Sequence, residues 1–210
     1  MFGTIDQFSF RDLHHHLLVI SNDPKHVTPI VDILPHAQGD NAVLAYGYID
    51  HTAGITFEVL CAASMVGTKV TAYREPRTDT SFKLRYDAVK GLLLSVEDSS
   101  LIEKFADTIS RINENYKAPK VVEEMRRIWM LDRWRDAQFP DDIQVFFIGA
   151  KQEVIWGRPA GYDGQNMTVT LLNEPWADFG VHLGDIVPIR LVSVGREFAA
   201  IALLPEGYGA

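Results

Sequence analysis

The sequence predicts an α+β protein: an antiparallel sheet with two central helices, followed by a compact β-rich module. Short apolar runs separated by turn residues occupy the first and last thirds of the chain, and two stretches with helical periodicity lie between them. We place an α+β region at residues 1–135 and a β-rich module, a curled sheet or partly open barrel, at residues 136–210. The pattern leaves open a core that both regions share.

The strands of the first region are predicted from apolar runs and turns. Phe8–Ile20 fits an amphipathic segment, and Ala42–Ile49 is rich in apolar and aromatic residues. A turn at Asp50–Gly54 leads into Ile55–Leu60, and Lys69–Tyr73 alternates with a period of two. Because such short connections join antiparallel neighbours, these runs predict a meander.

The two central helices are predicted from capping residues and apolar periodicity. Ser100 and Glu103 match a capping box, and Pro119 suits the first position of the second helix. Apolar residues then recur on one face of each helix: Leu101, Ile102, Phe105, Ile109 and Ile112 in the first, and Val121, Val122, Met125, Ile128 and Trp129 in the second.

The β-rich module contains five predicted strands. Asp163-Gly164 is a strong hairpin signal, because it tolerates the positive φ angles of a tight turn. Pro188 cannot donate to a ladder, which predicts an edge strand or a bulge there. The strands are Ile143–Ile148, Val154–Arg158, Met167–Leu172, Ile186–Val192 and Phe198–Leu204.

Charge and composition restrict the classes of function. The net charge is −8, and residues 136–210 carry ten acids and four bases, which argues against nucleic acid and anionic membranes as partners. No apolar run is long enough for a membrane helix and the N-terminus does not resemble a signal peptide, so we expect a cytoplasmic protein. Basic residues between Lys69 and Lys90 alternate with acids, as on a solvated rim.

No catalytic or cofactor motif is present, so enzymatic activity stays undecided and no cofactor is expected. His14, His15 and His16 are adjacent, but they lack the further ligands that a zinc site needs, so no metal site is predicted. Cys61 ends an apolar run and is expected to be a buried thiol.

Short motifs in the last third of the chain suggest a family. Trp156 and Arg158 precede the Asp163-Gly164 turn, and Leu172-Asn-Glu-Pro175 and Gly184-Asp185 follow it. This pattern resembles small bacterial domains of unknown function that occur among candidate immunity proteins of polymorphic toxin systems. The resemblance implies a non-catalytic inhibitor that covers a protein partner, and it carries over no enzymatic residue.

We therefore expect a protein-binding module whose partner is a basic toxin or enzyme. Aromatic residues in loops are common binding anchors, and acidic residues attract basic partners. The predicted contact residues are Trp176, Asp178, Phe179, Gly184 and Asp185. The alternative is a small-molecule-binding protein or enzyme that uses a cleft between the two regions, lined by His51, Tyr73, Arg74 and Asp142.

Overall fold

The computed structural model describes residues 1–21, 34–75, 81–89, 91–205 and 207–208. The chain divides into two compact units, Met1–Lys117 and Ala118–Ala210. The described residues include no helix that is long and apolar enough to cross a membrane.

The strands of the first unit are β1 (Phe2–Gly3), β2 (Leu17–Ser21), β3 (Ala42–Asp50), β4 (Gly54–Val66), β5 (Lys69–Tyr73), β6 (Phe82–Arg85) and β7 (Leu93–Val96). They form one antiparallel sheet in the order β1-β7-β2-β3-β4-β5, and β6 also pairs with β4. β5 pairs with the second half of β4 and β6 with its first half, so both follow the same edge. The helices are α1 (Phe10–Leu13), α2 (Ser99–Lys104) and α3 (Ala106–Asn115), with 3-10 turns at Ile5–Gln7 and Tyr86–Ala88.

The central strands β3 and β4 are buried on both faces, which explains their nearly continuous apolar sequence. One face packs against the N-terminal segment through Phe8 and Leu13. The other face packs against α2 and α3 through Leu101, Phe105 and Ile112. The predicted β3-β4-β5 meander is confirmed.

The segments predicted as helical differ in detail from the prediction. Asp98 is the N-cap of α2, and its carboxylate accepts a hydrogen bond from the Ser100 amide, so the expected Ser100 cap is wrong. The helix is interrupted at Phe105, which separates α2 from α3. Phe8–Ile20 is a short helix followed by β2 rather than one amphipathic element. Three short α-helices therefore lie between β7 and β8, where two were predicted.

The second unit is a closed five-stranded barrel preceded by a helix and a 3-10 turn. The elements are α4 (Lys120–Arg126), the turn Trp129–Trp134, β8 (Ile143–Ile148), β9 (Gln152–Tyr162), β10 (Met167–Leu171), β11 (Ile186–Val194) and β12 (Glu197–Ala202). Each strand pairs antiparallel with the next, and β12 closes the barrel by pairing parallel with β8.

The narrow interior of the barrel explains two residues in its strands. Gly157 faces inward, where a Cβ would lie 2.8 Å from Cγ2 of Val169. Pro188 lies in β11 between β10 and β12, and the pairing with β10 has no register shift there, so the prediction of an edge strand or a bulge is wrong. The missing N–H is tolerated because Pro188 lies opposite Leu203, one residue beyond the end of β12.

Helix α4 belongs to the second unit, so the division of the chain falls earlier than residue 135. Met125 is fully buried in the barrel core. The Arg126 guanidinium donates two hydrogen bonds of 2.8 Å to the Asp141 carboxylate, and both residues are buried. The helix is therefore fixed to the barrel by packing and by a bidentate ion pair.

Candidate functional site

The loop between β10 and β11 carries the predicted contact residues, and Trp176 is its most exposed aromatic residue. The Trp176 side chain is 71% exposed. Its backbone is nevertheless fixed, because the Glu153 carboxylate accepts hydrogen bonds from the amides of Trp176 and Ala177 at 3.2–3.3 Å. The Lys151 ammonium lies 4.8 Å from the centre of the indole ring, a cation–π contact. Trp176 is thus an exposed side chain on an ordered loop.

The acidic residues of this loop organise its turns. The Asp178 carboxylate accepts a hydrogen bond from the Gly180 amide at 3.0 Å, and Asp185 accepts one from the His182 amide at 2.7 Å. Gly184 has a φ of 89°, the left-handed conformation that favours glycine. Both carboxylates lie on exposed residues, so they fix the turns and remain available to a partner.

Glu174 and His182 form a second exposed contact in the same loop. The Glu174 carboxylate accepts a hydrogen bond from the Leu183 amide, and its other oxygen lies 2.7 Å from His182 Nδ1. The Leu183 amide and the imidazole lower the pKa of Glu174. The hydrogen bond to Glu174 raises the pKa of His182. Glu174 is therefore ionised at neutral pH, and protonation of His182 is favoured; the three carboxylates of the loop outnumber this one histidine.

Phe179 has a different position from the other predicted contact residues. Its side chain is 2% exposed and belongs to the core of the second unit. The ring packs edge-on against Phe147, with the centroids 5.3 Å apart. Phe179 therefore anchors the loop to the barrel and leaves Trp176 and Asp178 at the surface.

A groove adjoins the Trp176 loop. It has a volume of about 500 Å³, and its lining includes Lys151, Asp178 and Tyr208. Sequence reasoning missed Lys151 and Glu153, because both precede the predicted strand Val154–Arg158, whereas the observed β9 begins at Gln152. The groove extends the exposed surface from Trp176 toward the C-terminal segment.

The residues of the alternative cleft fall in both units. His51 lies in the β3–β4 turn, whereas Tyr73 and Arg74 lie at the other end of β4, roughly 30 Å away along the strand. Arg74 is held by two hydrogen bonds of 2.6–2.7 Å to Asp40. Asp142 belongs to the second unit and accepts two hydrogen bonds from Arg158, at 2.6 and 2.9 Å.

Histidine and cysteine residues do not assemble into a metal site within the part of the chain that the structure describes. His15 and His16 are exposed at the turn before β2, and His26 lies outside the described residues. Cys61 is buried in β4, and burial raises the pKa of its thiol to about 11. The thiol is therefore protonated and unreactive at neutral pH.

A buried polar cluster in the first unit was missed by sequence reasoning. Glu58 is 5% exposed on β4 and accepts a hydrogen bond from the Ser81 hydroxyl. The Lys83 ammonium donates a hydrogen bond of 2.8 Å to the Tyr116 hydroxyl, and the ring of Tyr48 packs 4.5 Å from that of Tyr116. Burial, with Glu58 nearby, raises the pKa of Tyr48 well above its ordinary value. The sequence signal that could have revealed this cluster is the glutamate within the apolar run of β4.

Two of the four basic residues that the structure describes between Lys69 and Lys90 pair with carboxylates. Arg74 pairs with Asp40, and Arg85 donates a hydrogen bond of 2.9 Å to Asp50. Arg77 and Lys90 lie outside the described residues.

Comparison with known proteins gives no relative: no family model, no curated protein and no solved structure matches the chain.

Proposed function

We propose that the chain is a non-catalytic, cytoplasmic protein-binding module of inhibitor type, and that it covers a basic surface of its partner with the Trp176 loop. The observation that carries the proposal is the exposed indole of Trp176 on a backbone fixed by Glu153. Tryptophan is a frequent hot-spot residue, and a preorganised loop loses little entropy on binding.

The charge of the loop supports a basic partner. Between Leu172 and Ile186 the chain has three carboxylates and no lysine or arginine. Leu183 is 57% and Ile186 64% exposed, so apolar and acidic groups alternate on this surface. Complementary charge speeds association with a basic surface, and the apolar side chains that become buried in the interface then supply affinity.

The short motifs of the last third of the chain resemble those of immunity-type domains, and this resemblance favours the inhibitor class. In that reading the partner is a toxin or another basic enzyme whose active surface is covered. Such inhibition needs no catalytic group in this chain, since the loop acts by occupying the partner's surface.

Site-specific photocrosslinking at position 176 tests the proposal. A photoreactive phenylalanine derivative replaces Trp176 in one variant and Trp129 in the control, because Trp129 is a second tryptophan of the same unit and is 67% exposed. We expect one crosslinked protein, with a basic surface, from position 176 in cells of the source and none from position 129. Equal crosslinking from both positions, or none from 176, would contradict the proposal.

Charge-neutralising variants test the acidic part of the surface. Asp178→Asn and Asp185→Asn keep an oxygen that accepts the turn hydrogen bonds from Gly180 and His182. The turns therefore stay formed while two charges are lost. We expect the crosslink at 176 to weaken in the double variant, and more so at low than at high salt. Unchanged crosslinking would remove these carboxylates from the contact surface.

A further inference from the structure

A cavity of about 370 Å³ lies in the first unit, beside the turn at His15 and His16 and helices α2 and α3. Its walls are mainly apolar and include Leu17, Ile102 and Ile109. The volume falls in the range of small-molecule sites, which combine apolar walls with a few fixed polar groups. All residues that line the cavity belong to Met1–Lys117, and none of them belongs to the Trp176 loop.

The polar residues that line this cavity are two acids, one serine, one tyrosine and two histidines: Glu97, Asp98, Ser99, Tyr46, His15 and His16. Glu97 and Asp98 contribute carboxylates, and the described lining has no lysine or arginine. The Ser100 side chain and amide donate hydrogen bonds to Asp98 and lower the pKa of that carboxyl, so it is ionised at neutral pH. The Tyr46 hydroxyl donates to Asn113 Oδ1 at 3.0 Å, which fixes the Tyr46 ring.

Backbone strain is located at the same cavity. His15 has a φ of 64° and is the one non-glycine residue with a positive φ in the described chain. Its amide donates to the Gly47 carbonyl at 2.7 Å, and the Gly47 amide donates to the His16 carbonyl at 3.0 Å. This close approach requires glycine, because a Cβ at position 47 would lie 2.0 Å from the Leu13 oxygen.

The strained turn holds the His15 ring nearly parallel to the Tyr46 ring, at an interplanar angle of 10° and a centroid distance of 6.1 Å. A non-glycine residue in the left-handed region is strained and persists where the surroundings fix it, often at ligand sites. The strain, the aromatic pair and the cavity thus coincide at one place.

We propose that this cavity binds a small aromatic amine. The apolar ring of the ligand packs on Leu17 and Ile109, and its ammonium group faces the carboxylates of Glu97 and Asp98. Tyr46 adds an aromatic ring toward which a cation is attracted. The same carboxylates repel an anionic ligand of equal shape, which gives the site its selectivity.

Titration of the full chain with three probes of similar shape and different charge tests this proposal: phenethylamine, phenethyl alcohol and phenylacetate. Amide resonances in nuclear magnetic resonance spectra report binding. We expect saturable shifts at Leu17, Tyr46 and Ile109 with the amine, binding of the alcohol about three- to tenfold weaker, and none of phenylacetate. No saturation with the amine, or equal binding of phenylacetate, would overturn the proposal.

Two variants connect the binding to this cavity. Glu97→Gln, at an exposed lining residue, should weaken phenethylamine binding about three- to fivefold, whereas Glu103→Gln on α2, outside the lining, should leave it unchanged. Trp176→Ala should also leave it unchanged, which separates this site from the proposed function. Equal weakening by both glutamine variants would assign the effect to general charge and refute the site.

Discussion

Asp141→Ala should destabilise the second unit far more than Asp142→Ala, although the two residues are neighbours and each accepts two hydrogen bonds from one arginine. The difference lies in the arginines. The Arg126 side chain is 5% exposed, whereas that of Arg158 is 42% exposed. Removal of Asp141 leaves a buried guanidinium without its main counter-charge, while Arg158 can be solvated by water.

The magnitude follows from this burial. Breaking a buried ion pair by removing one partner costs about 3–5 kcal/mol. Arg126 keeps its contact with Glu123 at 3.2 Å, which favours the lower end, about 3 kcal/mol. The Asp142–Arg158 pair is only partly buried, so it contributes about 0–1 kcal/mol. Replacing both members of the buried pair, Arg126→Met with Asp141→Leu, should recover most of the loss, because apolar groups of similar volume need no counter-charge.

Tryptophan fluorescence during urea unfolding measures this effect selectively. All four tryptophans lie in the second unit, at positions 129, 134, 156 and 176. With a urea dependence of about 1–3 kcal/mol per molar, the loss for Asp141→Ala lowers the midpoint by about 1–3 M. The argument is refuted if Asp141→Ala and Asp142→Ala have equal midpoints, or if the double variant is less stable than Asp141→Ala.

Three further predictions concern other local features. The His15→Gly variant should be more stable than His15→Ala by about 1 kcal/mol, since only glycine adopts the φ of 64° without strain. Thermal unfolding followed by circular dichroism compares the two variants, and equal stability would exclude backbone strain at this position. Gly157→Ala should cost about 1–3 kcal/mol through overpacking against Val169, and Val169→Ala should restore part of it in the double variant, measured by urea unfolding. The amide and side chain of Asn166 and the Gln165 amide lower the pKa of Asp163 from 3.8 to about 2. Because the pKa is lower in the folded state, ionised Asp163 stabilises the fold above pH 3.8, and this contribution is lost as the pH falls toward 2. The difference in free energy of unfolding between the unmodified chain and the Asp163→Asn variant should therefore shrink between pH 3.8 and 2. A difference that stays constant over this range would contradict the assignment.

Features encoded by neighbouring residues were predictable from the sequence. The Asp163-Gly164 turn forms because the Asp163 carboxylate accepts the amides of Gln165 and Asn166, all within the same turn. The bounds of β5 and β8 were also predicted, since each strand is an apolar or alternating run with glycine and proline residues close to its ends in the sequence.

Features that join distant residues were not predictable in the same way. Barrel closure pairs Ala200 with Val145, and no local pattern records that contact. The polar cluster joins Tyr48, Glu58 and Tyr116 through the β3–β4 register and the packing of α3. The loop sequence placed Phe179 beside Trp176, but only the packing on Phe147 distinguishes a core anchor from a surface residue.

The unequal strand lengths of the first unit have a consequence for self-association. β3 and β4, with 9 and 13 residues, have an apolar character that would favour intermolecular pairing if their backbones were accessible. Each instead lies between two partners, and the described sheet margins are formed by β1, β5 and β6, with two, five and four residues. Short margins offer few free backbone groups to another copy of the chain. Resistance to aggregation in this unit thus depends on keeping the interior strands covered, so conditions that detach β2 or β6 should initiate fibril formation before the unit unfolds completely.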